Sequence, residues 1–165
     1  MRRVILLAMG IGAASAVLAS QAAANTTVFV TATFAEPIHP TASTCPGFPD
    51  ASCGRGEVIP LGQATDTVQF GAGCGGTCDL RTIYLAGGSI TLEETSSNPT
   101  CPGGMCHTGP VEHGSGTLAD VVIGGTGLYE GATGTLTGTV TFAASNVRPA
   151  GTSTVKLSGT IHYDP

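Results

Sequence analysis

The chain contains no tryptophan, only three tyrosines and five phenylalanines, and charged residues make up just 10% of it. Long amphipathic helices need a charged or polar stripe opposite an apolar one, and this composition supplies almost no material for the polar stripe. Basic residues are the scarcest charge, six against eleven acids, and two of them are Arg2 and Arg3 at the very start. Beyond residue 24 only Arg55, Arg81, Arg148 and Lys156 remain. Such an acidic surface repels phosphate backbones, whose binding depends on cations that neutralise them, so nucleic-acid partners are excluded. Several catalytic signatures are missing as well. There is no Gly-x-Ser-x-Gly elbow, no His-Glu-x-x-His helix and no Gly-Lys-Ser/Thr phosphate loop.

What the chain does have is an export-type start and a strand-rich remainder. Arg2 and Arg3 precede an uncharged stretch from Val4 to about Ala19, and small residues close it at Ala22, Ala23 and Ala24. A charged start, a short apolar centre and a small-residue end describe a secretory signal cut after Ala24. The stretch approaches the ~20 residues of a membrane-spanning helix, but its glycines, alanines and serines make it only mildly apolar and no charged flank follows. Residues 1–24 therefore read as a signal peptide and 25–165 as one secreted domain without a membrane anchor.

Threonine, valine and glycine dominate that domain and alternate with period two. Residues 27–34 set Val28, Val30, Ala32 and Phe34 against Thr27, Phe29, Thr31 and Thr33. Residues 135–144 set Leu136, Gly138, Val140, Phe142 and Ala144 against four threonines, and residues 156–163 repeat the scheme. This is the signature of half-buried antiparallel strands. Further strands are expected at 57–70, with a bend or bulge at Pro60-Leu61-Gly62, and at 80–86, 89–94 and 111–123. Loops are expected at 37–56, 71–77, 95–109 and 146–151. Seven or eight strands at this spacing imply an all-β sandwich or a closed antiparallel barrel, and closure removes exposed edges.

The glycines of 124–140 are the one feature that invites a nucleotide reading. The order Gly125-Thr-Gly127-Leu-Tyr-Glu-Gly131 lacks the dinucleotide spacing, and a strand rather than a helix follows. These glycines instead turn the chain and permit close backbone approach.

The six cysteines lie at 45, 53, 74, 78, 101 and 106. In an exported chain an even count favours disulfides. Each consecutive pair brackets a glycine-containing turn, so the expected bridges are Cys45–Cys53, Cys74–Cys78 and Cys101–Cys106. Rings this small stabilise by less than the ~3 kcal/mol of a 15-residue loop, and stiffening of loop tips is the expected effect. A metal site built on Cys74/Cys78 or on Cys101/Cys106 with His107 is one alternative, and oxidation argues against its free thiolates; a redox-active Cys74/Cys78 pair is another, and no helix start or basic neighbour is there to lower a thiol pKa, so no metal or cofactor is expected.

Of the histidines, His39 and His107 fall in loops and His162 on a polar strand face, while His113 beside Glu112 is the best placed for acid/base work. Three charged residues stand out because each shares a strand face with apolar neighbours: Arg81 with Ile83 and Leu85, Glu94 with Ile90 and Leu92, Asp120 with Leu118 and Val122. Burying such groups is costly unless they are paired, so these three are the candidate catalytic residues provided that at least two of them converge. Tyr129, at the glycine turn, is the candidate ligand-binding residue at a barrel mouth.

The segment Val122-Ile123-Gly124-Gly125-Thr126-Gly127-Leu128-Tyr129, continuing through Gly131-Ala132-Thr133-Gly134, resembles the turn of the allene oxide cyclase-like and dirigent-like barrel superfamily. Val58-Ile59-Pro60-Leu61-Gly62 and Gly159-Thr160-Ile161 are similar to bacterial secreted members. The resemblance implies an eight-stranded antiparallel barrel, a trimer in plant members, and an apolar interior for a small hydrophobic molecule. Two readings follow: a secreted barrel that binds a small apolar ligand or serves as an extracellular scaffold, and a cofactor-free cyclase or isomerase in which Arg81, Glu94 or Asp120 polarises a substrate. A surface interaction module, built on a flat threonine-rich face, is a third.

Overall fold

The computed structural model describes residues 25–38, 44–45, 47–48, 51–97, 106–108, 111–145 and 151–165. Among the described residues the period-two alternation resolves into nine strands: β1 (Thr26–Ile38), β2 (Ala51–Ile59), β3 (Gly62–Gly73), β4 (Cys78–Leu85), β5 (Gly88–Ser97), β6 (Cys106–Thr108), β7 (Val111–Gly127), β8 (Thr133–Ser145) and β9 (Gly151–Tyr163). All pairings are antiparallel, in the order β5-β4-β3-β2-β1-β9-β8-β7, and β5 also pairs with β7. That last pairing closes an eight-stranded barrel. The short β6 is an appendage on the first residues of β7.

The inward faces are those the alternation assigns. Val30, Ala32 and Phe34 of β1, Leu136 of β8, and Val155, Leu157 and Ile161 of β9 all lie within the core, 3% exposed or less. They pack in one cluster with Val58, Ile83, Ile90, Leu92 and Val122 from the other strands. Each such side chain contributes about 1.5–3 kcal/mol on full burial, which makes this cluster the dominant stabilising element. The outward faces of β8, β9 and β1 carry the threonines. Thr135 lies beside Thr160, Thr141 beside Thr154, and Thr117 of β7 beside Thr139.

Three expectations need correction. Residues 57–70 are not one bent strand but a hairpin, in which Val58 faces Gly62 and the chain reverses at Pro60-Leu61. Proline cannot donate to a ladder, and Gly62 adopts φ +113°, a region glycine enters freely, so the segment turns instead of bulging. The expected 37–56 loop likewise contains the first half of β2. Its inward residues there, Ser52, Gly54 and Gly56, are small or polar and leave no hydrophobic period to read. Similarly, β5 runs on to Ser97 and β6 lies inside the expected 95–109 loop.

The glycines of 124–127 form the end of β7, which pairs with β5 through Gly124, Gly125 and Gly127. A side chain on Gly125 would run into the backbone oxygens of Ser89 and Tyr129. Beyond Gly127 a tight turn is held by the Tyr129 amide donating to the Thr126 carbonyl, 3.2 Å, and the Ala132 amide donating to the Tyr129 carbonyl, 3.0 Å. The stretch is sheet and turn.

The barrel has two unlike ends. At one, short turns join β2 to β3, β4 to β5 and β7 to β8. At the other, the connections after β1, β3, β5 and β8 emerge, and Cys45, Cys53, Cys74 and Cys78 belong to that end.

Candidate functional site

Inside the loop-bearing end, six strands aim polar side chains at a single point. Arg81 from β4 is 1% exposed, Asp66 from β3 1%, Asp120 from β7 2%, and Glu36 from β1, Glu94 from β5 and Ser153 from β9 4% each. The Arg81 guanidinium donates through Nε to Glu94 Oε2 at 2.7 Å, through Nη2 to Glu94 Oε1 at 3.2 Å and through Nη1 to Glu36 Oε1 at 2.6 Å. Its Nη1 also donates to Asp66 Oδ2. Ser153 Oγ donates to the second oxygen of Glu36 at 3.1 Å. The guanidinium carbon lies 6.0 Å from the centre of the Phe34 ring, in the range of a cation–π contact.

Strand geometry explains the convergence. Glu36 continues the inward alternation of Val30, Ala32 and Phe34, and Ser153 that of Val155 and Leu157. Gly54 of β2 pairs with Asp66, and a side chain there would collide with the Asp66 carboxyl and the Glu36 Cγ. Glycine at 54 is therefore the space into which two carboxyl groups fit. Glu94 and Asp120 are direct cross-strand partners, an arrangement that repels when both groups are charged.

Four carboxyl groups surround one cation, and the electrostatics follow from that excess. Burial, with the nearby charge of Glu36 adding to it, pushes the Asp66 carboxyl up to about 8. Burial and the charge of Glu94 push Asp120 up to about 8 as well. Asp79, half-exposed on the same inward row of β4, is also raised by burial and held partly in check by the Gly71 amide, which donates to its Oδ1 at 2.8 Å. Burial disfavours the Arg81 charge, but Glu94 and Glu36 more than offset this and hold the guanidinium well above its ordinary value. Asp66 Oδ1 and both oxygens of Asp120 have no hydrogen-bond partner among the described residues. A buried carboxylate is costly unless it is fully paired, so burial favours the protonated form of Asp120, and of Asp66 despite its single contact with Arg81.

The three residues singled out in the sequence, Arg81, Glu94 and Asp120, thus come together. Glu36, Asp66 and Ser153 were missed. Glu36 and Ser153 each extend an alternation whose apolar members were read correctly, whereas Asp66 lies on the strand mistaken for one with a bend. Tyr129 sits apart, at the short-turn end. It is 6% exposed and packs edge-on against Tyr163, with ring centres 5.1 Å apart. Burial and Tyr163 raise its phenol pKa. It closes that end of the core.

Cys45 bonds to Cys53 and Cys74 to Cys78, with Cα separations of 5.0 and 5.4 Å. Both bridges lie on the outer wall, because Cys53 and Cys78 occupy outward strand positions. Cys45–Cys53 covers Thr67, whose hydroxyl donates to Cys53 Sγ at 3.6 Å. These two bridges fasten the chain back onto the barrel as well as closing small rings. The expected Cys101–Cys106 bridge, His39, and the side chains of His107, Glu112 and His113 lie outside the described residues. His162 shares a 2.8 Å hydrogen bond with the exposed Thr27 hydroxyl across β1 and β9.

The lumen is solid at its centre. Val30, Phe34, Ile90 and Leu92 are 0% exposed, so no water-sized space touches them. A shallow open depression of about 300 Å³ lies instead on the outer wall, over Gly56 and between Thr33, Arg55, Glu57 and Gln63. No known protein family, curated protein or solved structure matches this chain.

Proposed function

We propose that the protein is an extracellular barrel scaffold that binds through its loop-bearing end and outer wall, with the lumen serving stability. The solid lumen carries this reading: a small apolar ligand would have to displace side chains that already exclude water. The disulfides support a non-reducing compartment, since such bridges persist where thiols are not kept reduced. The buried Arg81 cluster pins six strands together around one point, as a scaffold with long connections at that end requires.

Titration with a fluorescent fatty acid and with an anilinonaphthalene dye tests the proposal. No saturable binding is expected from the folded protein. One-to-one binding that Leu92→Trp abolishes while leaving the far-UV spectrum intact overturns it.

One observation favours the second reading, a cofactor-free isomerase or cyclase of the kind the allene oxide cyclase-like resemblance implies. Asp120, buried directly across from Glu94 and near Arg81 with its pKa raised by burial, has the chemistry of a general acid. That reading requires the cluster to be reached from the loop-bearing end, and the same titration separates the two.

A further inference from the structure

On the outer wall of the loop-bearing end, the Cys74 and Cys78 sulfurs and a carboxylate oxygen of Glu93 all lie within 4.8 Å of one another. The residues come from three places: Cys78 begins β4, Glu93 faces outward from β5, and Cys74 sits in the β3–β4 hairpin folded across them. The hairpin holds its shape through short-range bonds. The Gly76 amide donates to the Gly73 carbonyl at 2.8 Å, and the Thr77 hydroxyl to the Cys74 carbonyl at 2.9 Å. The Cys74 amide donates to Glu93 Oε1 at 2.8 Å, which fixes the carboxylate beside the sulfurs. Cys74 takes a left-handed backbone conformation, φ 48°. Cys74 is exposed, Glu93 half-buried and Cys78 buried, so an external thiol reaches the bridge at the Cys74 sulfur.

We infer that this is a redox-gated metal site: oxidised, it is a clasp; reduced, it presents two thiolates and one carboxylate to a thiophilic divalent cation such as Zn2+. The reduction is a two-electron exchange with an external dithiol. That dithiol becomes a disulfide while Cys74 and Cys78 each gain a proton. Metal binding then releases both protons as the thiolates coordinate. Three protein ligands leave one tetrahedral position open to water or to a partner's side chain. The small ring favours the exchange, because closing five residues constrains the unfolded chain less than a long loop does and so stabilises the bridge less. The inference does not depend on what the loop-bearing end binds.

The test uses Cd2+, whose thiolate charge-transfer absorbance counts the sulfurs bound, and Zn2+ in competition with a chromophoric chelator. A Cys45→Ser/Cys53→Ser/Cys101→Ser/Cys106→Ser background isolates the site; should it fail to fold, the wild type is reduced gently and its free thiols mapped by alkylation and mass spectrometry. The oxidised protein should bind neither metal, and the reduced protein should bind one ion with two thiolates. Glu93→Gln should weaken Zn2+ at least roughly 10-fold, since even an outer-shell partner contributes 10–100-fold. Equal affinity in Glu93→Gln, tight binding by the oxidised chain, or reduced Cys74 and Cys78 that bind no metal would each overturn the inference.

Discussion

The excess of buried carboxyl groups makes stability fall where most proteins are still gaining it. Asp66 and Asp120 each have a folded-state pKa of about 8 against an ordinary 3.8. Between those values the unfolded chain has released both protons and the folded chain keeps them. Stability is therefore fullest below pH ~4 with respect to these groups, declines as pH rises through the window, and levels off above ~8. Each group contributes at most about 1.4 kcal/mol per pH unit. Two such groups over the whole window would amount to about 12 kcal/mol, as much as the whole 5–15 kcal/mol of a typical domain, so relaxation and water entry must reduce the effect. We expect about 1 kcal/mol per pH unit for the pair, using the softer response that fits buried sites. From pH 5 to pH 8 the loss is then about 3 kcal/mol, a fall in Tm of roughly 10 °C for a domain this size. Asp120→Asn keeps the shape of the protonated acid and removes one titration. Its Tm should lie near wild type at pH 5, exceed it at pH 8, and show about half the slope. Calorimetric melts at matched ionic strength across pH 5 to 8 measure this directly. A wild-type Tm that rises with pH, or an Asp120→Asn slope equal to wild type, refutes the reasoning.

Other perturbations follow from the same geometry. Arg81→Met leaves four carboxyl groups without their cation and should lower stability by about 3–5 kcal/mol at pH 8 in denaturant unfolding, with a smaller loss at pH 5 where more of them are protonated. Gly54→Val should cost at least ~2 kcal/mol, because the added side chain occupies the space of the Asp66 and Glu36 carboxyls; an unchanged urea midpoint would show that the cluster has room to spare. Leu92→Ala, at a fully buried position, should cost about 2–5 kcal/mol in the same assay. Replacing Cys45 and Cys53 together by serine should lower stability by less than ~3 kcal/mol and leave the strand signal in circular dichroism intact, since the ring is small.

Much of the barrel was legible because its walls alternate. Where one face is threonine and the other Leu, Val or Phe, as in β1, β8 and β9, a period of two fixes which side chains enter the core. The same rule singled out Arg81, Glu94 and Asp120 as charges on apolar strand faces. The rule fails where the inward residues are not apolar. In β2 the inward set before Val58 is Ser52, Gly54 and Gly56: Gly54 leaves the space that the Asp66 and Glu36 carboxyls fill, and Gly56 lies against the backbone of Thr33 and Phe34. That cluster therefore hid the strand that makes room for it. The misread hairpin at Pro60 had the same effect on Asp66, whose inward face belongs to a strand that had not been separated from its neighbour. The site was also invisible as a sum: each charge reads as a local exception, and only the closure of β5 onto β7 sets Asp120 beside Glu94 and leaves four acids sharing one arginine. It is closure, a property of no single segment, that turns tolerable exceptions into a protonated cluster and sets the pH response of the barrel.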